Sequence, residues 1–428
     1  MPDSSLIIKI LKDEVRPAIG CTEPVAIALA CAYAAQLLGE KPERLSVVTS
    51  RAIYKNGMDV GIPGTSRRGL NVAAALGAAL ADPSKGLELL GSIDKKTREA
   101  AEKLLETIDI EIGIDGGDEP IYIEATLEGK DHKARALIIG RHDNLVELSL
   151  DGEPIKSHGG GPKDLKASGE LNEFYKSKIL DVVETVEAMD AEDLFFLLEG
   201  LDMNLRAAEL GASQSHGLGV GHSIQKNMDE GLVAKDFTNL AYMLTAAASD
   251  VRMSGERVSV MSSSGSGNNG LTAILPLAAL REIRPLDDKT LAKALAISHL
   301  LTSYVKHYIG RLSNLCGCSI AAAIGSGSAI AWILEGKEII PGTINNIIAN
   351  QAGVICDGAK PGCALKLGTA AMTAVQSALL AKSGTSLKDH NGICDPQVEK
   401  SIANLARLSS PGMNEVDETV IGIMRERE

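Results

Sequence analysis

The sequence predicts an α+β protein, with a mixed α/β domain over residues 1–157 and a larger, mainly helical domain over residues 158–428 that carries the clustered cysteines. A chain of 428 residues is too long for one small hydrophobic core, so two domains are the natural expectation. Segments with strand-like composition are concentrated before residue 157, whereas apolar residues at helical spacing dominate after it. The glycine-rich run at 158–162 marks the predicted boundary.

The N-terminal domain is predicted to begin with two helices. Apolar residues recur at helical spacing over 4–15, and the segment 25–38 is apolar nearly all round, which is typical of a buried helix. Thr22 and Pro24 are favourable start signals for the second helix. The other predicted elements are strands at 45–54, 108–114, 121–127, 133–139 and 145–150, and helices at 69–80 and 95–106.

The second domain is predicted to be a succession of closely packed helices. Hydrophobic residues are 45% of the chain and aromatic residues only 3%, so Ala, Leu, Ile and Val must fill the cores. The clearest predicted helices cover residues 176–189, 191–211, 236–249, 271–280, 291–308, 319–334, 339–356 and 364–381.

Charge and apolar run length restrict the partners and the location. The net charge is −13, from 43 basic and 56 acidic residues, which disfavours binding to nucleic acid or to anionic membranes. The N-terminus contains early acidic residues and no long apolar run, unlike a secretory signal. The apolar stretch 319–334 is shorter than the ~20 residues of a membrane span. We therefore expect a cytoplasmic protein, and a homodimer is compatible with the sequence.

Four of the seven cysteines lie between residues 316 and 363. Cysteine thiolates are soft metal ligands, so such clustering needs an explanation. Cys356 and Cys363 are separated by six residues that include Gly, Pro and Gly, a composition that favours a tight loop able to bring two thiolates to one centre. Our hypothesis is that Cys316, Cys356 and Cys363 hold an iron–sulfur cluster.

Other interpretations of these cysteines stay open. Free cysteine often packs as a small buried hydrophobe. A disulfide is less favoured because the number of cysteines is odd and no signal peptide is evident. Zinc competes with iron, although the paired C-x2-C spacing that is typical of zinc sites is missing.

Cys21 is the best candidate for a reactive thiol. It precedes the predicted helix at 25–38, and a helix N-terminus lowers the pKa of a neighbouring thiol through its macrodipole and its free N–H groups. The alternative for Cys21 is an inert, buried loop position. Cys31 lies in the middle of the helix and is expected to serve packing alone.

A long polar turn at 261–270 runs directly into the apolar segment 271–280. Unpaired N–H groups at such a turn bind anions, and the missing Gly-Lys-Ser/Thr ending argues for a carboxylate rather than a nucleotide phosphate. A flexible connector is the alternative. Further candidates for site residues, each with an equally good structural interpretation, are Lys306, His307, Arg311, His216 and His222.

Five stretches of the chain together resemble one known family. They are RPAIGCTEPVAIALA (16–30), KNGMDVGIPGT (55–65), SGSGNNGLTAILP (264–276), GRLSNLCGCSIAAA (310–323) and ICDGAKPGCALKLG (355–368). On these residues the chain resembles the L-cysteine desulfidase family, relatives of the α chain of the iron–sulfur L-serine dehydratases. The likeness extends from end to end, and the cysteine-bearing stretches are its most specific part.

The resemblance implies a [4Fe–4S] cluster with three cysteine ligands and one iron open to the substrate. The ligands it assigns are Cys316, Cys356 and Cys363. The separation 356 − 316 = 40 favours the cysteine at 316 over Cys318 as the first ligand. The dehydratases also reach the cluster with a C-terminal cysteine, whereas this chain ends in Glu428 and has only Cys394 as a poor substitute.

The implied reaction is an α,β-elimination from an amino acid without pyridoxal phosphate, which makes the protein a carbon–sulfur lyase. L-Cysteine then gives sulfide and aminoacrylate, which hydrolyses to pyruvate and ammonia. The resemblance assigns Cys21 as the base that removes the Cα proton. It assigns substrate binding to Thr22, Glu23, Ser266, Asn268, Asn269 and Gly270.

Three rival functions remain at this point. A dehydratase acting on L-serine or a related hydroxy amino acid uses the same chemistry with water as the leaving group. A pyridoxal-phosphate lyase needs a Schiff-base lysine such as Lys360 or Lys366, although the loop that carries them has the composition of a scaffold for the cysteines. The third rival is a non-catalytic metal-binding protein.

Overall fold

The computed structural model describes residues 2–115, 117, 119–157 and 169–426. Within these residues the predicted α+β class is confirmed, with a mixed sheet in the N-terminal region and a larger helical region after it. The predicted boundary at 158–162 lies outside the described residues, as does Glu428.

The N-terminal region combines five α-helices and seven strands among the described residues. The helices are α1 (Ser4–Glu14), α2 (Thr22–Leu38), α3 (Arg51–Gly57), α4 (Leu70–Leu80) and α5 (Lys95–Thr107), with a 3₁₀ segment at Pro83–Ser92. The strands are β1 (Pro17–Ile19), β2 (Arg44–Thr49), β3 (Ile110–Ile114), β4 (Tyr122–Glu128), β5 (Lys133–Ile139), β6 (Leu145–Leu150) and β7 (Glu153–Ser157).

The C-terminal region is helical apart from one short strand among the described residues. Its elements are α6 (Gly169–Lys176), α7 (Ile179–Ala188), α8 (Leu198–Ser213), α9 (Val220–Asp229), α10 (Phe237–Met253), β8 (Ser259–Met261), α11 (Gly267–Ile283), α12 (Asp288–Ile309), α13 (Gly317–Glu335), α14 (Ile340–Gln351), α15 (Cys363–Lys382), α16 (Val398–Ser409) and α17 (Val416–Arg425). Short 3₁₀ segments occupy Ala191–Leu197 and Lys337–Ile339.

Strands β2 to β7 form one six-stranded sheet in the order β3-β2-β4-β5-β6-β7. Strands β2 and β3 are parallel, because three helices connect them, and the other neighbours are antiparallel. Helix α2 packs against the centre of the sheet on one side and against α4 on the other. It is buried along nearly its whole length, as its uniformly apolar sequence predicts.

The core of the helical region is built from α10, α11, α12, α13 and α15. Helices α13 and α15 are long and apolar enough to cross a membrane by length and composition alone. However, 72% and 61% of their most apolar windows are buried inside the molecule, which is the behaviour of core helices in a soluble protein.

Packing does not follow the predicted domain limits at the two ends of the chain. The apolar face of α1, with Ile7 and Leu11, is buried in the helical core against α7 and α12. At the other end, Ile421 of α17 is buried in the core of the N-terminal region, against α3. The N-terminal helix therefore packs with the second region, and the C-terminal helix packs with the first.

Two predicted elements are wrong in part. The strand predicted over 45–54 ends at Thr49, because the side chain of Ser50 accepts a hydrogen bond from the amide of Ile53 and starts α3. The helix predicted over 339–356 ends at Gln351, so Cys356 lies in a loop and not on a helix. Strand β7 and the pair β1–β8 have no counterpart among the predicted elements.

Candidate functional site

The short strands β1 and β8 bring together two distant polar segments. They pair antiparallel, with Pro17 opposite Met261 and Ile19 opposite Ser259. Cys21 follows the first strand, and the polar turn at 262–266 follows the second. The site is therefore assembled by two strands of three residues each, whose pairing is invisible in the periodicity of either segment.

Cys21 occupies the N-cap position of α2 and is 5% exposed. Its thiol donates a hydrogen bond of 2.9 Å to Oε2 of Glu23. Burial and the negative charge of Glu23 raise the pKa of the Cys21 thiol well above its ordinary value, although Arg252 acts in the opposite direction. The expectation that the helix N-terminus lowers this pKa is therefore wrong, because desolvation and a neighbouring carboxylate outweigh the helix dipole.

Glu23 is the acceptor for two side chains. Besides the thiol of Cys21, the amide of Asn56 donates to its Oε1 at 3.0 Å. Burial works against ionisation of Glu23, but the field of His142 and the two donated hydrogen bonds outweigh it and lower the pKa of the carboxyl group. Burial in turn lowers the pKa of the His142 imidazole, while the negative charge of Glu23 acts in the opposite direction.

Two of the clustered cysteines are placed by a pair of extended segments. The amide of Cys316 donates to Val354 at 2.9 Å, and the amide of Cys356 donates to Asn314 at 2.7 Å, on either side of an antiparallel bridge between Leu315 and Ile355. In this register the two cysteines are diagonal neighbours on one face. Diagonal Cβ atoms on one face of an antiparallel pair are about 7 Å apart or slightly less.

The C-x6-C segment forms the predicted loop and ends where α15 begins, at Cys363. Its Gly358 has φ of +93° and packs against the carbonyl group of Lys55 in α3, where a Cβ would collide. The thiol of Cys363 donates to the carbonyl of Gly358 at 3.7 Å, and the thiol of Cys356 donates to Oδ1 of Asn56 at 3.8 Å. Helix α3 therefore connects the cysteine loop with Glu23.

The thiols have unequal acidities. The hydrogen bond donated by Cys318 is the largest influence on the pKa of Cys316 and lowers it. Burial acts in the opposite direction, but a second hydrogen bond, from Ser319, also lowers this pKa, which reaches about 6. Burial raises the pKa of Cys356 above its ordinary value and that of Cys363 to about 12. Cys316 is thus the thiol that most readily becomes a metal-binding thiolate, and Cys318 acts as its hydrogen-bond donor.

These side chains surround one cavity of about 100 Å³, which we call the cysteine cavity. Of the sequence-predicted site residues, those on its wall are Cys21, Thr22, Glu23, Ser266, Asn268, Asn269, Cys316, Cys356 and Cys363. Gly270 does not line it; this glycine lies in the first turn of α11, in close contact with the carbonyl group of Met261. Wall residues that the sequence interpretation missed are Asn56, His142 and Arg252.

Basic side chains also face the cysteines. Lys306 and Arg311 line the cysteine cavity, and burial lowers the pKa of Lys306 to about 8. Its ammonium group donates to the carbonyl of Arg311 at 2.7 Å, and Arg311 forms an ion pair with Glu14 at 2.5 Å. His307 instead stacks on Tyr175, with ring centroids 3.8 Å apart.

The two lysines of the cysteine loop have structural partners. Both Lys360 and Lys366 form ion pairs with Asp357, and Lys366 also donates to the carbonyl of Ile355 at 2.9 Å. Burial acts against the ammonium form of Lys366, but Asp357 outweighs it and raises the pKa of the lysine. A charged lysine held in this way is a poor Schiff-base nucleophile.

The remaining sequence candidates lie away from the cysteine cavity. Nδ1 of His216 lies 3.3 Å from Glu256, and Nδ1 of His222 lies 2.8 Å from the carbonyl oxygen of Ala212. Cys31 and Cys394 are buried in packed surroundings, at 0% and 3% exposure. A neighbouring cavity of about 370 Å³, between α1 and the end of α12, shares Lys306 and Arg311, but none of its described wall residues is a cysteine.

The spacing of Cys316 and Cys356 can be compared with what a single ion and a cluster each require. Ligands of one tetrahedral zinc lie roughly 3.8 Å from each other, given Zn–S bonds of about 2.3 Å. Among the described residues no group of three His, Cys, Asp or Glu side chains is close enough to bind one ion. The thiolates of a [4Fe–4S] cluster bind different irons and are spaced more widely, as the diagonal register of Cys316 and Cys356 allows.

The comparisons with known proteins agree in identifying one family. A family model described as serine dehydratase alpha chain matches residues 84–422. A UPF0597 protein of Clostridioides difficile is 47% identical, over 98% of this chain and 99% of that protein. UPF0597 proteins of Alkaliphilus oremlandii and Caldanaerobacter subterraneus are 46% and 38% identical, and each match covers at least 99% of both chains. The predicted kinship is confirmed: this chain belongs to the serine dehydratase alpha chain family.

Proposed function

We propose that the protein is an iron–sulfur lyase that eliminates the β substituent of an amino acid, with L-cysteine as the substrate and sulfide, ammonia and pyruvate as the products. Membership of the serine dehydratase alpha chain family supports a lyase of amino-acid metabolism. The observation that carries the proposal is the meeting of three cysteines and the buried pair Cys21–Glu23 on the wall of one cavity.

In this proposal Cys316, Cys356 and Cys363 hold a [4Fe–4S] cluster. With three cysteine ligands one iron is left open, and when bound the cluster supplies Lewis acidity toward the leaving sulfur. Lys306 and Arg311 offset the negative charge that thiolates and sulfide bring into the cavity. Cys318 keeps the role of hydrogen-bond donor to Cys316.

The proton steps follow from the contact between Cys21 and Glu23. As the Cys21 sulfur takes up the Cα proton of the substrate, its own proton moves along the 2.9 Å hydrogen bond to Oε2 of Glu23, so that no free thiolate has to form first. The electron pair of the Cα–H bond forms the Cα–Cβ double bond as the β substituent leaves with its bonding pair. The proton on Glu23 then neutralises the leaving group or returns to solvent, so the balance of protons and electrons closes without an oxidant.

The turn at 262–266 and the first turn of α11 bind the substrate in this proposal. Ser266 is the N-cap of α11, and the free amide groups at this helix N-terminus favour a carboxylate. Thr22 donates to the carbonyl of Gly265 at 3.4 Å and so connects the start of α2 with the turn. Asn269 is 2% exposed and lines the same wall.

L-Serine is the alternative substrate, and the name of the matching family favours it. The proton steps at Cys21 and Glu23 are the same, and only the leaving group differs. The leaving group is a soft sulfur in L-cysteine and a hard oxygen in L-serine. The positions of Cys21 and Glu23 do not distinguish the two substrates, so activity measurements have to do so.

The test is anaerobic purification, analysis for iron and sulfide, and turnover with L-cysteine and L-serine. We expect about four irons per chain, by analogy with cysteine-bound cubane clusters. Sulfide release from L-cysteine should fall by about 10²- to 10⁴-fold in Cys21→Ser, with unchanged iron content. Cys394→Ser, at a buried cysteine outside the cavity, is the control and should keep both properties. Turnover of L-serine alone would replace the substrate, and a cluster-free but active protein would overturn the proposal.

A further inference from the structure

Arg252 is a buried cation on the wall of the cysteine cavity. It lies in the last turn of α10 and is 2% exposed. Its Nη1 donates to Oδ1 of Asn268 at 2.9 Å, and its Nη2 donates to the carbonyl of Gly20 at 2.7 Å. Both acceptors are neutral, so neither contact compensates the charge of the guanidinium.

Arg252 forms no ion pair with a carboxylate in the part of the chain that the structure describes; the ion pairs found there join other side chains. Its buried Nε also lacks an acceptor there. An ionised group that is removed from water without a counter-ion is costly for a folded protein. A buried cation without a counter-ion on the wall of a cavity would be stabilised by a negatively charged ligand in that cavity.

We propose that Arg252 is a substrate-binding residue that pairs with the α-carboxylate of the amino acid. The inference rests on the proposed function and names the group that recognises one end of its substrate. A guanidinium offers a planar fork that matches a carboxylate, and its contacts with Asn268 and Gly20 fix the plane of that fork. The free amides at the start of α11 lie on the same wall and supply further donors.

The position of Arg252 also orients the substrate for the proton step. Arg252 and Cys21 line the same cavity, and Gly20, whose carbonyl accepts from Arg252, directly precedes Cys21. In an amino acid the carboxylate and the proton that is removed are attached to the same carbon, Cα. A carboxylate held by Arg252 therefore presents Cα to the Cys21 thiol, which is the positioning that an elimination requires.

The test compares two ligands that lack a β leaving group, L-alanine and L-alaninamide, by titration calorimetry with the anaerobically prepared protein. The two differ only in the carboxylate. We expect the wild-type protein to bind L-alanine at least about tenfold more tightly, which is the factor that a charge-assisted hydrogen bond supplies. Arg252→Met should reduce this preference by about ten- to a hundredfold, to near equality.

A second variant guards against a folding defect in Arg252→Met. Asn268→Asp keeps the shape of the side chain and gives Arg252 an internal carboxylate at the present 2.9 Å contact. It should keep the melting temperature of the wild type or raise it, and it should still weaken L-alanine relative to L-alaninamide by about tenfold. Arg252→Lys, which keeps the charge but not the fork, should retain part of the preference.

The matched control is Arg257→Met, because Arg257 is exposed, donates to the carbonyl of Ile93 and does not line the cavity. It should leave the ratio of the two affinities unchanged. The inference is overturned if the wild-type protein shows no preference for L-alanine, or if Arg252→Met and Asn268→Asp both keep the wild-type preference. A lack of turnover with L-cysteine and L-serine would instead overturn the proposed function, since neither test ligand undergoes chemistry.

Discussion

At the scale of single residues, Glu23 is the group whose role is most sharply testable. Glu23→Gln replaces the acceptor of the Cys21 thiol proton by a neutral amide that cannot take it. We expect kcat for sulfide release to fall by about 10²- to 10⁴-fold, with unchanged iron content. Since the negative charge of Glu23 raises the pKa of Cys21, its removal should also shift the pH profile of any residual activity toward lower pH.

The control for this change is Glu111→Gln. Glu111 pairs with Arg44 on the exposed edge of the sheet, with 51% of its side chain accessible, so the same chemical change there should leave kcat and its pH profile unaltered. A Glu23→Gln protein with wild-type kcat would show that Cys21 does not depend on this carboxylate. A loss of iron in the same variant would assign Glu23 to cluster assembly instead.

The chemistry of Cys21 illustrates what residue-level prediction can and cannot reach. Its place at the start of a helix follows from Thr22 and Pro24, which are local signals. The acidity of its thiol does not follow from local signals. The pKa depends on burial and on the carboxylate of Glu23, and the sequence does not show whether that side chain points inward or to solvent. Arg252 was missed for a related reason: a basic residue in the last turn of a helix is ordinarily explained by the helix dipole.

A second residue-level prediction concerns stability at low pH. His299 is 1% exposed, and burial lowers its pKa to about 3, whereas an unfolded histidine titrates near 6.5. The contribution of His299 to the free energy of unfolding is therefore complete above about pH 6.5. It is lost as the pH falls toward 3, because in this range only the unfolded state takes up the proton. The free energy of unfolding should decrease by up to about 1.4 kcal/mol per pH unit in this window from His299 alone.

The measurement is urea unfolding between pH 7 and pH 4 for the wild type and for His299→Asn. Asparagine can keep the 3.0 Å contact that Nδ1 makes with Ser263 but does not titrate. The acid loss of stability should be smaller in this variant. His390→Asn is the control, because 81% of the His390 side chain is accessible. Equal slopes for the wild type and His299→Asn would contradict the assignment of a neutral, buried His299.

At the scale of elements, periodicity predicts most helices and the strands β2 to β6, although it extends β2 too far, because each has an amphipathic or uniformly apolar sequence of sufficient length. It fails for β1 and β8, which have three residues each and exist only because they pair with each other. These two strands are also what brings Cys21 to the polar turn after β8. The local pattern thus supplies the scaffold, while the contact that builds the site is non-local.

Helix α17 provides the element-level prediction. Its Asp417 forms an ion pair of 2.5 Å with Lys55 of α3, whose side chain is 2% exposed. Helix α3 carries Asn56, which contacts both Glu23 and Cys356, so α17 supports the site from behind. Asp417→Asn leaves the buried Lys55 ammonium without its counter-ion and should cost about 3 kcal/mol of stability, near the lower end for a broken buried pair.

Hydrogen exchange is the measurement that locates this effect. Amide exchange should accelerate in α17 and α3 of the Asp417→Asn protein and stay unchanged in α16. Glu418→Gln is the matched control, because Glu418 is exposed on the same turn and forms no ion pair within the part of the chain that the structure describes. Uniform acceleration across the molecule, or none at all, would contradict a local clamp between these two helices.

At the scale of the whole molecule, the cysteine cavity lies where the two regions meet. The N-terminal region contributes Cys21, Glu23 and Asn56, and the helical region contributes the clustered cysteines and the turn after β8. The sequence predicts which cysteines belong together, because they are close in the chain and bracket a loop. It does not predict that Asn56 of α3 completes the wall or that α17 packs behind α3, because those contacts depend on how the two regions pack.

Cluster binding should therefore stabilise the two regions together. A ligand that binds only the folded state adds about 4 kcal/mol at a thousandfold excess over its dissociation constant, so anaerobic reconstitution should raise the melting temperature by at least about 5 °C. Because the loop at 356–363 packs on α3 through Gly358, scanning calorimetry should show one transition shifting as a unit. Cys356→Ser should lose this shift, whereas Cys394→Ser, outside the cavity, should keep it. The contrary result is two separate transitions, of which only that of the helical region shifts on reconstitution. The two regions would then not share the centre, and the assignment of Cys21 and Glu23 to its chemistry would fail.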